Sequence, residues 1–163
     1  MQRRYTRSVG GVVYALLSPL LLVGAMWFAL DVGLNMRASA GANYAIEVAI
    51  GMVFWIFFST ALQEATPSIV NNPHLVKKVV FPVKMLPLST ILGAFVVHLI
   101  LLLLAGLTLA FLGSLTPSNL WKLPFAVLYL FAFTTGLALL ASSFNVFVRD
   151  TQVFVQVVIS IWF

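Results

Sequence analysis

Two histidines, four carboxylates and nine Lys and Arg supply nearly all the charged chemistry of this 163-residue chain. His74 and His98 fall on different elements at different depths, so they do not make a ligand or relay pair. Asp31, Glu47, Glu64 and Asp150 are scattered over both sides of the apolar segments, which argues against paired acid/base work. No Gly-x-x-x-x-Gly-Lys-Ser/Thr loop is present to cradle ATP phosphates, and no His-Glu-x-x-His is present to hold zinc. With no cysteine, disulfides, thiolate metal sites and cysteine nucleophiles are excluded, while the redox compartment stays open. The sequence predicts no catalytic residue and no metal site in this chain.

Single polar and aromatic groups are the remaining candidates. His98 lies near the middle of a long apolar run, where an ionisable group is a functional candidate by default. The simpler alternative is a neutral imidazole satisfied inside the bundle or facing a wet cavity. Trp55 and Phe58 share a helix face at i, i+3, and aromatic faces can stack on sugar rings along a substrate path. Their alternative is ordinary packing. Glu47 and Glu64, near opposite ends of the same run, fit headgroup level or a partner-facing position. Thr134, Ala138 and Ser142 recur at i, i+4, i+8, a spacing of small residues that permits close helix approach.

The elements that carry these residues are legible from the charge pattern. Residues 8–30, 48–63, 85–121 and 123–148 contain no Asp, Glu, Lys or Arg. Charged residues make up 8% of the chain against about 25% in ordinary soluble domains. The mean hydropathy is +1.09. About 20 apolar residues cross a ~30 Å hydrocarbon core as a helix. The expected fold is therefore all-α, a polytopic transmembrane helix bundle. Its spans are expected over residues 9–34, 44–65, 88–112 and 123–148, and a fifth begins at residue 151. The last 13 residues are too few to cross, so the chain reads as a fragment ending inside that fifth span. Residues 1–163 are expected to form a single truncated transmembrane domain. The first apolar run is too long for a signal-peptide core and lacks a small-residue cleavage pattern, so it reads as a retained span.

Orientation follows from the basic residues. With the N-terminus inside, Arg3, Arg4, Arg7, Lys77, Lys78, Lys84 and Arg149 are cytoplasmic, against Arg37 and Lys122 outside. That asymmetry selects a cytoplasmic N-terminus. It also explains the net charge of +5 without nucleic acid, for which no basic patch interleaved with aromatics exists.

One break between spans differs from the others. Residues 66–87 hold Pro67, Pro73, Pro82 and Pro87 together with Lys77, Lys78 and Lys84. Asn72 suits a helix N-cap and Pro73 the first helical position. Pro82 blocks continuation and disfavours helix at Phe81. A short helix of about two turns is bracketed, with Val76, Val79 and Val80 on one face and Lys77 and Lys78 beside it. It is either an interfacial loop anchor or a docking element for a cytoplasmic partner.

With these residues in place, the chain resembles the membrane subunits of bacterial ABC exporters of O-antigen, capsule and teichoic acid. The resemblance rests on Leu17-Ser18-Pro19-Leu20-Leu21, Gly51 with Trp55-Ile56-Phe57-Phe58, Asn71-Asn72 through Phe81-Pro82, Leu86-Pro87, and Phe144-Asn145-Val146-Phe147-Val148-Arg149-Asp150. It implies a pore subunit of an ATP-driven exporter of polysaccharide or lipid-linked glycan in the bacterial inner membrane. It implies six spans, a homodimer, and two ATP-binding cassette subunits that hold ATP and Mg, this chain binding no cofactor. Asn72, Pro73, His74, Leu75, Val76, Lys77, Val79 and Val80 then match a coupling helix. Phe81 and Pro82, with Arg149 and Asp150, match cytoplasmic turns, and Trp55, Phe58 and His98 are candidates for the substrate path. Such permeases usually carry a longer cytoplasmic N-terminal segment than the eight or so residues here. Export of drugs or lipids, and an ion-coupled secondary transporter, are the alternative functions. The latter would need interrupted helices and a midplane cluster of ionisable groups, where only His98 is found. A membrane scaffold without transport activity is a further class.

Overall fold

The computed structural model describes residues 9–29, 33, 44–76, 82–111 and 121–163. The expectations for Arg3, Arg4, Arg7, Asp31, Arg37, Lys77, Lys78, Val79, Val80 and Phe81 fall outside those residues. Among the described residues every regular element is helical: α1 (Val9–Phe28), α2 (Tyr44–Ala65), α3 (Pro73–Val76), α4 (Met85–Phe111), α5 (Lys122–Phe147) and α6 (Thr151–Trp162). The helices Glu47–Ala65, Met85–Phe111 and Lys122–Phe147 are long and apolar enough to cross a membrane. At 1.5 Å per residue the 27 residues of α4 reach about 40 Å, more than the hydrocarbon thickness.

The α4 helix opens three residues earlier than its apolar run predicts. Pro87 is the reason that the earlier start is tolerated. A proline in the first turn removes an N–H that has no intrahelical acceptor anyway. The backbone N–H groups of Met85 and Leu86 donate to the carbonyls of Pro82 (2.9 Å) and Val83 (3.1 Å), so the turn at Pro82 leads directly into the helix. Pro19 lies inside α1, where the missing hydrogen bond can be compensated by neighbouring helices in a membrane bundle.

In lipid, helices gain little from hiding apolar side chains, because the tails are as apolar as leucine; close packing decides instead. The α2 helix takes the centre and touches α1, α4, α5 and α6. Of its apolar stretch 39% is buried, against 11% for α4 and 17% for α5, so the latter two present most of their apolar surface outward. Ala61 and Ala65 on α2 and Thr134, Ala138 and Ser142 on α5 are fully buried. The small-residue spacing on α5 thus lies on its packed face. Phe57, Phe58, Ile91, Val155 and Ile159 fill the space between the helices. The Thr135 and Ser143 hydroxyls inside α5 bond back to their own backbone, at the carbonyls of Phe131 (2.7 Å) and Leu139 (2.8 Å).

Candidate functional site

The segment joining α2 to α3 is a hydrogen-bonded joint. The Thr66 hydroxyl donates to the Leu62 carbonyl and the Ser68 hydroxyl to that of Ala65, both at 2.6 Å. The Asn71 N–H reaches the Pro67 carbonyl at 2.9 Å. The Asn72 side-chain amide turns back to the Ser68 carbonyl at 2.8 Å. Thr66, Pro67 and Ser68 are buried against the bundle. Pro73, His74 and Leu75 then form the described part of α3 with Val76, and Pro73 and His74 are exposed. Pro73 occupies the first helical position, as its type predicts. The remainder of the expected two-turn helix lies outside the described residues.

A second turn sits at the same, basic end of the bundle. Arg149 and Asp150 are exposed there between α5 and α6. The Val148 N–H closes α5 on the Phe144 carbonyl at 2.9 Å, and the Thr151 hydroxyl donates to the Val148 carbonyl at 2.7 Å. Asn145 is nearly fully buried, and its Oδ1 accepts from the Gln152 N–H at 3.2 Å, tying the two helices across the turn. Sequence reasoning gave Asn145 no role, because an asparagine near a helix end has many uses and only contact across the turn selects one. Asn145→Ala should lower stability by about 1 kcal/mol, the worth of one such bond. Thermal unfolding in detergent checks this, with the exposed neighbour change Val146→Ala expected to leave the midpoint in place.

The aromatic candidates separate into two kinds. Phe58 is only 6% exposed and belongs to the packed core. Trp55 is half-buried and joins an aromatic surface that runs across three helices. Tyr129 stacks on Phe133 (centroids 6.2 Å, 7° between planes), and Phe133 stacks on Phe58 (6.1 Å, 21°). Trp162 meets Phe58 at 5.9 Å and Trp55 at 6.3 Å, and Phe163 meets Trp55 at 5.9 Å. Tyr129, Phe133, Trp162 and Phe163 are exposed. Trp55 stands ten residues above the end of α2, so the cluster lies ~15 Å from the basic end, about half the hydrocarbon thickness.

His98 is brought near this region but not onto its exposed face. Its ring is 1% exposed and packs against Phe57 (4.9 Å), Phe54 (5.4 Å) and Phe95 (6.2 Å). Among the described residues neither ring nitrogen, nor the buried Thr134 Oγ1, has a hydrogen-bond partner. The α6 helix adds a feature the sequence analysis missed. Val155 and Ile159 face the bundle, whereas Gln156 and Ser160, at i+4 and i+8 from Gln152, are exposed. The four-residue repeat of polar side chains in an apolar run was the available signal.

The long apolar helices and their outward apolar surfaces define a multi-pass membrane protein. A family model described as ABC-2 type transporter matches residues 1–163, and the chain belongs to that family. It is 26% identical over 162 residues to an O-antigen export system permease protein RfbA of Klebsiella pneumoniae, covering 98% of this chain and 61% of that protein. It is 29% identical over 168 residues to the O-antigen export system permease protein RfbA of Myxococcus xanthus, covering 100% of this chain and 62% of that protein. The chain thus spans about three fifths of the length of these relatives.

Proposed function

We propose that this chain is the membrane-spanning, non-catalytic part of an ATP-driven exporter that moves polysaccharide or lipid-linked glycan across the bacterial inner membrane. The observation that carries the reading is the ABC-2 match along the whole chain, supported by relatives named for O-antigen export. Residues 1–163 form one transmembrane domain with a cytoplasmic N-terminus, four complete spans and the start of a fifth. Residues 66–87 are its cytoplasmic loop, with α3 as the beginning of a coupling helix. Lys84 and Arg149 at one end of the bundle support that topology.

Two chains pair, and each recruits an ATP-binding cassette subunit that holds ATP and Mg. An exposed Gln156 in hydrocarbon would leave its amide unsatisfied, so the polar face of α6 belongs against a further span, a second copy or an aqueous path. The exposed aromatic surface around Trp55 supplies flat, sequence-tolerant stacking faces for sugar rings, with no charge to trap a polymer in transit. Removing the gene should abolish surface glycan while the polymer accumulates on the cytoplasmic side, measured by surface labelling and by extraction of intact cells. Normal surface glycan with raised sensitivity to lipophilic drugs would move the assignment to a drug or lipid exporter.

A further inference from the structure

We propose that a groove at the basic end of the bundle seats the headgroup phosphate and upper acyl chains of an anionic phospholipid. The groove has a volume of about 270 Å³. That is below the roughly 300–1,000 Å³ of sites that enclose a whole small ligand. It accommodates the polar end of a larger molecule whose remainder lies outside. Its walls are Ile69 from the chain leaving α2, Val83 and Pro87 from the chain entering α4, and Leu139 and Phe147 from the last turns of α5. Lys84 is its one charged lining residue among the described residues. Ser142 and Ser143 also line it, but both hydroxyls donate to the Leu139 carbonyl at 3.0 and 2.8 Å, so neither is a free donor for an anion.

This arrangement selects the occupant. A soluble phosphate needs several donors to replace its hydration, and among the described residues the groove offers one ammonium group amid apolar walls. A phospholipid needs one cation for its phosphate and apolar surface for its chains. Lys84 is exposed and has no carboxylate partner among the described residues. It lies one residue before α4 enters the apolar run, at headgroup depth. Basic pockets between transmembrane helices on the cytoplasmic side are a recurrent anionic-lipid geometry. The lipid would bridge Ile69 to Val83 and Lys84, and so clamp both legs of the segment that carries α3. The depth and leaflet rest on the topology proposed above; binding itself does not.

The test uses the purified protein in nanodiscs, where both leaflets are accessible and export plays no part. Phosphatidylglycerol mixed into phosphatidylcholine should raise the unfolding midpoint and appear as retained lipid in native mass spectra. Lys84→Gln should weaken that binding about fivefold, what one basic residue contributes at an anionic membrane surface. Its midpoint in pure phosphatidylcholine should stay unchanged, and Lys84→Arg should retain the lipid. Soluble glycerol 3-phosphate should have no effect. Undiminished phosphatidylglycerol binding by Lys84→Gln overturns the proposal. So does an equal response to glycerol 3-phosphate, which would mark a free-anion site. A change in oligomeric mass instead of lipid count would assign the groove to a second copy.

Discussion

Replacing Val76 and Val79 together with aspartate should leave the chain inserted at normal levels, with ATP hydrolysis and export uncoupled. Val76 ends the described part of α3, and Val79 follows one turn later in the sequence. In the coupling reading these valines form the apolar contact with the ATP-binding partner. A hot-spot residue at the centre of an interface costs about 2 kcal/mol or more when lost, and in this reading both valines are hot spots. Two such losses weaken docking about a thousandfold, at a factor of ten per 1.4 kcal/mol. An introduced carboxylate adds desolvation to that cost. Export from cells and ATPase activity of the co-purified complex are the measurements. Val76→Ala with Val79→Ala should give an intermediate loss. Undiminished export from the double aspartate variant would remove α3 from the coupling role.

The second large effect is expected at the crossing of α2 and α5. Ala138 is fully buried, as are Ala61 and Ala65 on the opposing helix. No lipid-driven gain offsets a lost close approach here, because membrane helices associate by packing. Ala138→Leu forces three further carbons into that crossing and should destabilise the bundle by about 1–3 kcal/mol. Ala132→Leu makes the same chemical change on an exposed face of the same helix and should be neutral. Urea or thermal unfolding in detergent separates the two. Equal midpoints for the two variants would show that α5 does not depend on close packing at Ala138.

The helices were readable because hydrocarbon imposes one requirement, a backbone with all its hydrogen bonds made internally. The boundaries of α2 follow the apolar run to the residue. The early start of α4 was hidden because Pro87 reads as a breaker when its place in the first turn is unknown. The inward stripe of Thr134, Ala138 and Ser142 was legible from size and spacing alone. The separation of Trp55 from Phe58 was not, since both lie on one helix face and only α5 and α6 decide which is covered. Asn145 was invisible for the same reason: its partner, Gln152, lies beyond the turn. His98 was placed correctly at mid-run, but its enclosure by Phe54, Phe57 and Phe95 depends on two helices meeting.

The joint between α2 and α3 makes the loop a lever. Thr66, Ser68, Asn71 and Asn72 each brace the chain one turn back, which stiffens the joint against bending. In the coupling reading, a force on α3 would then be passed on to α2. The α2 helix is gripped by α1, α4, α5 and α6, so it acts as the axle of the bundle. A tilt applied at one end of the axle swings the aromatic surface near its middle. In that reading, work done on the segment between α2 and α4 would be delivered to Trp55 through packed helices, without any charge moving through the membrane.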